Sequence, residues 1–205
     1  PLVIEPDKSI RCDLLCRLQC TYSKGDISYV FDNDGKLYFE FTGNSSVDVY
    51  FNKKPYKLKY LYISKRRHVS YPDDPSIIGE CTLYHAGKNE NLIISLFLRS
   101  TRGFCDSQDF FSQFLSVSVG RYNKNKKIDV TTSKDWSPQQ MFPSKTSYFI
   151  YKELNNRVVV FQEPIEIDPD NFNKVYELCE TSEGERTISK DEYLYFHPQA
   201  SNRPQ

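Results

Sequence analysis

Histidine, methionine and tryptophan are scarce: 205 residues hold three His, one Met and one Trp. His68, His85 and His197 are far apart in sequence with no companion motif, and a lone histidine is more often a satisfied structural group than a ligand. Net charge is also missing, since Lys plus Arg and Asp plus Glu number 27 each. That balance removes any global field drawing the chain to nucleic acid or to a membrane, so electrostatic binding has to come from local patches. No apolar run approaches the roughly 20 residues that span a bilayer. Absent too are a Ser-His-Asp signature, a glycine-rich phosphate loop, a zinc-knuckle spacing, internal repeats and low-complexity segments.

What is abundant is aromatic. Tyr (15) and Phe (14) dominate, a composition suited to pleated, half-buried surfaces. The length fits one full hydrophobic core. We expect a single domain over residues 1–198 and a polar tail over 199–205, HPQASNRPQ being polar and proline-containing. Six cysteines could pair in several ways. Cys12, Cys16 and Cys20 recur every fourth residue, which fits a metal site weakly, and small apolar side chains or one or two disulfides better. Asn44-Ser45-Ser46 is an N-glycosylation acceptor pattern.

Alternation predicts a hairpin over Ile27–Phe41 turning at Asn33-Asp34-Gly35, since Asp-Gly supplies the positive φ of a tight turn. A short arm, VDVYF, follows, and then KKPYKLKYLYISK, with Leu58, Tyr60 and Tyr62 expected on one face and Lys57, Lys59 and Leu61 on the other. IIGECTLYHA reads as another strand. NLIISLFLRS is apolar on both faces and reads as a central, doubly covered strand. Phe110, Phe111, Phe114 and Leu115 stand at helical spacing within Ser107–Val119, and Pro169–Leu178 reads as a short helix opened by proline.

The order of these pieces resembles the α-carbonic anhydrase family over nearly the whole chain. GECTLYHAG followed by NLIISLFL stands where that family has Glu-x-His-x-x-His-Trp and then an apolar strand. MFPSKTSYFIY, RVVVFQEPIEI and DPDNFNKVYEL follow its Leu-Pro, Tyr-x-x-Tyr, Pro-Ile and short helix, and PLVIEP resembles its opening. The implied fold is mostly β, a large, twisted, mainly antiparallel sheet with short surface helices. The implied reaction hydrates carbon dioxide with hydroxide on a zinc held by three neutral imidazoles. Carried over residue by residue, those three positions fall on Tyr60, Tyr62 and Thr82. A protonated phenol and an aliphatic hydroxyl are poor zinc donors. Glu80 and His85 remain at the family's outer glutamate and further histidine, where a structural role is expected, with Glu80 hydrogen-bonded to hydroxyls or backbone amides. After Tyr151 the family's Ser-Leu-Thr-Thr-Pro-Pro is replaced by KELNNRVVV. The expectation is a chain that is not an enzyme and holds no metal or cofactor.

Within the family the chain is most similar to the inactive branch carried on poxvirus virions. That resemblance implies an outward-facing domain at the virion membrane surface, joined to a stalk or anchor outside residues 1–205. It implies attachment to host cells through a sulfated glycosaminoglycan of the chondroitin or heparan sulfate type, and no nucleic-acid partner. Sulfate recognition needs clustered cations. The candidates are Lys65, Arg66 and Arg67, the turn lysines Lys53 and Lys54, Lys36 at the hairpin, and Lys88; Lys124, Lys126 and Lys127 read as loop solubility. The competing partner is a host surface protein, recognised through exposed Tyr or Arg side chains.

Overall fold

The computed structural model describes residues 2–31, 37–69, 74–103, 105–118, 127–176, 186–188 and 192–201. In chain order the strands are β1 (Leu2–Val3), β2 (Ile10–Arg11), β3 (Leu18–Cys20), β4 (Ile27–Phe31), β5 (Leu37–Phe41), β6 (Val49–Phe51), β7 (Lys54–Ser64), β8 (His68–Val69), β9 (Ile77–Ala86) and β10 (Asn91–Ser100). Helix α1 (Asp106–Ser118) comes next, then β11 (Ile128–Val130), β12 (Lys145–Glu153), β13 (Asn156–Phe161), β14 (Ile165–Ile167), α2 (Pro169–Tyr176), β15 (Arg186–Thr187) and β16 (Tyr195–Ser201). Among the described residues the main body is one 13-stranded sheet whose main path runs β11-β4-β5-β7-β9-β10-β13-β12-β16-β2. Most neighbours are antiparallel, and β10–β13, β10–β14 and β16–β2 are parallel.

β10 lies at the centre of this sheet, as its double-sided apolar run predicts. Leu92, Ile94, Leu96 and Leu98 point into the larger core, while Ile93 and Phe97 point into a smaller one on the opposite face. Ser95 interrupts the second set, and its hydroxyl donates to Glu80. On the larger side α1 buries Phe110, Phe111, Phe114 and Leu115, and Trp136 stacks on Phe110 at 4.7 Å while its indole N–H donates to the Phe110 carbonyl. Burying four such side chains is worth on the order of 8 kcal/mol, which the short helix needs because its intrinsic helicity is small.

Two details differ from the sequence reading, and the cysteines follow it. Between Leu58 and Tyr60 the β7–β9 register shifts, so Leu58 faces His85 and Tyr60 faces Tyr84. Lys59 is the bulged residue, and Leu58 therefore joins Leu61 in the larger core instead of sharing a face with Tyr60 and Tyr62. β16 runs to Ser201, three residues into the segment read as tail, because it pairs with β12. Cys12 and Cys16 form a disulfide, while Cys20 and Cys81 are buried thiols whose burial pushes their pKa values well up. The Asn33-Asp34-Gly35 turn lies outside the described residues.

Candidate functional site

Antiparallel pairing of β7 with β9 sets Tyr62 opposite Thr82 and Ser64 opposite Glu80. Side chains alternate along each strand, so Tyr60, Tyr62 and Ser64 share one face with Glu80, Thr82 and Tyr84, and Ser95 joins beside Thr82. Tyr60 stacks on Tyr84 with ring centres 4.8 Å apart and planes 2° from parallel. Tyr38 packs edge-on against Tyr60 and Tyr62 at 4.9 and 5.7 Å. The face is thus a half-buried wall of four tyrosines leading to a polar floor. Tyr62 and Thr82 meet directly; Tyr60 stands one step further from Glu80, in the aromatic wall. Ser64, Tyr38 and Tyr84 were not singled out by sequence. Ser64 could have been found, since it follows Tyr62 at the same two-residue spacing.

The donor set on this face does not fit the three-imidazole zinc site that the sequence resemblance implies. Burial, with the neighbouring phenols adding to it, pushes Tyr60 up to about 12, so it is neutral in the physiological range. Ser64 and Thr82 offer only aliphatic hydroxyls, both buried without a hydrogen-bond partner. Among the described residues no group of three His, Cys, Asp or Glu side chains converges. A fixed cation also crosses the same face. The Arg67 guanidinium donates to the Tyr62 hydroxyl at 3.0 Å and reaches to 3.9 Å from Glu153 on β12. Burial works against its charge, but Tyr62, Tyr151, Glu153 and Glu80 together hold its pKa above the ordinary value. After Tyr151, β12 turns directly into β13 through Leu154 at φ 53°.

Beneath this face Glu80 is fully buried and fully partnered. It accepts from the backbone amides of Arg67 (2.9 Å) and His68 (2.5 Å), from His68 Nδ1 (2.9 Å) and from the Ser95 hydroxyl (2.5 Å). Burial pushes its carboxyl up, yet the charge of and hydrogen bonds from His68, with Ser95, outweigh that and hold its pKa below the usual value. His68 Nε2 shares a 2.6 Å hydrogen bond with the Tyr151 hydroxyl. The hydroxyl and amide partners expected for Glu80 are present. His85, three residues after Thr82, faces the other side, where Nδ1 donates to the Leu92 carbonyl and Nε2 accepts from Tyr22 at 2.7 Å. His197 lies against Tyr148, at 5.0 Å between ring centres. The three histidines serve separate places.

The candidate cations divide between the two ends of β7, which at about 3.3 Å per residue are on the order of 30 Å apart. At one end Lys65 lies 4.8 Å over the Tyr176 ring, Arg66 is half-buried and engaged, and Arg67 turns inward to Tyr62. These three do not form a rim. Lys36 lies outside the described residues. At the other end Lys53 sits in a tight turn with Asn52, both at positive φ (65° and 49°), and Lys88 is exposed in the β9–β10 turn. Here the structure adds residues that sequence reasoning missed. Glu90 receives Arg157 on both oxygens at 3.2 and 3.3 Å, with Lys54 at 3.8 Å and Lys152 at 3.9 Å. Partial burial pushes the Glu90 carboxyl up, but Arg157, Tyr56 and Lys54 hold its pKa below the usual value. One carboxylate therefore faces three cations, with two more exposed lysines in the adjoining turns.

No protein-family model and no curated protein sequence matches the chain. Solved structures do. Dioscorin complexed with ascorbate superposes with a TM-score of 0.75 at 17% identity, covering 98% of this chain and 85% of that one. The α-carbonic anhydrase of Photobacterium profundum gives 0.75 at 14% identity, covering 95% and 87%. The α-carbonic anhydrase from Thermovibrio ammonificans, in complex with the inhibitor sulfanilamide, gives 0.74 at 17% identity, covering 95% and 85%. At these identities what is shared is the architecture: the chain has the α-carbonic anhydrase fold.

Proposed function

We propose that this domain is a metal-free recognition module on the α-carbonic anhydrase fold, displayed on a virion surface, that attaches to sulfated glycosaminoglycan on the host cell. The reading rests on the resemblance to the carbonic anhydrase-like cell-surface-binding protein of poxvirus virions. The observation that carries it is the surplus of cations around Glu90, where Lys53, Lys54, Lys88, Lys152 and Arg157 share one end of the sheet. Each sulfate contacted there gains a charge-assisted hydrogen bond, and the attraction falls with ionic strength. The Tyr62, Ser64 and Thr82 donors, crossed by Arg67, support a role other than catalysis.

The test is retention on heparin and chondroitin sulfate columns across a salt gradient. Lys53→Glu/Lys54→Glu/Lys152→Glu should abolish retention, and Lys65→Glu should leave it nearly intact; the reverse pattern moves the site to the other end. A host protein ligand is favoured instead by the wall of Tyr38, Tyr60, Tyr62 and Tyr84, and it would show as cell binding that resists salt and falls with Tyr60→Ala. Stoichiometric zinc together with carbon dioxide hydration by the purified protein would overturn both readings.

A further inference from the structure

The disulfide-closed loop between β2 and β3 exposes two adjacent leucines that no described residue covers. Leu14 is 73% and Leu15 77% exposed. The loop is not free to fold back over them. Cys12 and Cys16 are bonded, the Cys12 amide donates to the Phe196 carbonyl at 2.8 Å, and the buried Tyr148 hydroxyl donates to the Cys16 carbonyl at 2.7 Å. Asn52, held at positive φ in the neighbouring turn, accepts from the Arg17 amide at 2.9 Å and donates from its side chain to the Leu15 carbonyl. Five residues are therefore fixed with their apolar pair at the crest, an arrangement whose ordering cost is met before any partner arrives.

The surroundings of the crest are basic. Two open hollows flank Leu15, one of about 750 Å³ lined by Arg17, Tyr50 and Lys53 among others, and one of about 400 Å³ lined by Lys152, Arg157, Glu192 and Tyr193 among others. Their charged lining is four cations against the carboxylate of Glu192, and since Arg157 is held on both oxygens of Glu90, Arg17, Lys53 and Lys152 carry the positive charge that faces outward. Arg11 is offset by Asp13, whose carboxylate it contacts at 3.0 Å. A protein partner would need a matching groove for a convex apolar tip. A bilayer deforms around one and supplies anions on every side, which is the chemistry of interfacial anchoring.

We propose that the Leu14–Leu15 loop inserts into the headgroup region of anionic membranes, with Arg17, Lys53 and Lys152 contacting the lipid phosphates and carboxylates around it. The loop supplies apolar depth, the cations supply lipid selectivity, and the disulfide keeps both in register. The inference stands apart from glycosaminoglycan binding, although it uses some of the same cations, because that binding has no use for the leucines.

The experiment is co-sedimentation of the full chain with phosphatidylcholine vesicles and with vesicles containing phosphatidylserine, comparing the parent with Leu14→Ser/Leu15→Ser. These leucines are exposed, so the variant should keep the parent melting temperature. Binding to the phosphatidylserine vesicles alone, reduced about tenfold or more in the variant, is the result expected. Equal binding of variant and parent, or no binding of either, overturns the proposal. So does a leucine-dependent dimer on gel filtration without vesicle binding, which would assign the crest to a second copy of this chain. Heparin retention is measured on the same two proteins. Retention without vesicle binding sinks the membrane proposal alone, and vesicle binding without retention sinks the glycosaminoglycan reading alone.

Discussion

Arg67 and Tyr62 are joined across the face to which the sequence resemblance assigns a metal: the guanidinium donates to the phenol oxygen at 3.0 Å. A permanent cation at this place opposes any divalent ion by direct repulsion, independently of the missing imidazoles. Restoring ligands should therefore not be enough. Tyr62→His/Ser64→His/Thr82→His places imidazoles on three neighbouring positions of one face. That set should bind zinc at least about tenfold more tightly when Arg67→Gln is added, since even one unit of opposing charge in a partly buried site exceeds about 1.4 kcal/mol. Competition with a chromophoric chelator measures both affinities; equal values would show that Arg67 does not oppose a metal. Building the set with Tyr60→His in place of Ser64→His should give weaker binding, because Tyr60 stands opposite Tyr84 rather than Glu80.

Glu80 is a structural charge. Its carboxylate receives two backbone amides, an imidazole and a hydroxyl in a site with no solvent exposure. Glu80→Gln keeps the shape but turns one acceptor oxygen into a donor facing groups that themselves donate. We expect a loss of about 3 kcal/mol, read as a fall in Tm of roughly 6–12 °C for a domain of this size. A change below about 1 °C would show that the network contributes little.

His85 is expected to make the fold acid-sensitive. Burial lowers its pKa to about 4 from 6.5, against the hydrogen bonds to the Leu92 and Leu83 carbonyls that favour the charged form. The folded value lies below the unfolded one, so the unfolded chain takes up the proton first as pH falls. The contribution is complete above pH 6.5 and is lost between there and about pH 4, reaching on the order of 3 kcal/mol. Urea unfolding at steps through this window should show the decline, and His85→Gln should flatten it even if its stability at neutral pH is lower. An unchanged slope in the variant would assign the decline to other groups.

The fold was legible because alternation, the apolar run of β10 and the order of segments are properties of local text. The contents of the site were partly legible. Tyr62 and Thr82 fall together because each is fixed by the strand it sits on, and the hydroxyl and amide partners of Glu80 follow from the rule that a buried carboxylate must be satisfied. The bulge at Lys59 was not readable, since it exists only relative to β9, and it moved Leu58 to the other face. The basic end was half-hidden for the same reason. Lys152 and Arg157 lie more than sixty residues from the Glu90 they surround, and only the parallel β10–β13 register, with Asn91 beside Asn156, brings them there. Lys65, Arg66 and Arg67 read as a charge cluster in text, but the chain bends after Ser64 and sends Lys65 over the Tyr176 ring and Arg67 in to Tyr62.

Gly79 gives a last, independent check on how the helix α2 is seated. A Cβ at this position would lie 2.7 Å from the Ser64 carbonyl oxygen and 2.8 Å from the ring of Phe172. Neither neighbour gives way easily: the first is β7 backbone and the second is a side chain buried to 3% exposure in the core. Gly79→Ala should thus push α2 away from the sheet rather than be absorbed locally, at a cost of about 1–3 kcal/mol. Because the strain falls on Phe172, amide exchange should accelerate in residues 172–176 more than in β12, which pairs with β13 and β16 and not with β9. Uniform acceleration throughout the sheet would instead mean that the β7–β9 ladder has opened at Ser64, and no acceleration would mean that the approach of α2 to Gly79 is looser than these distances require.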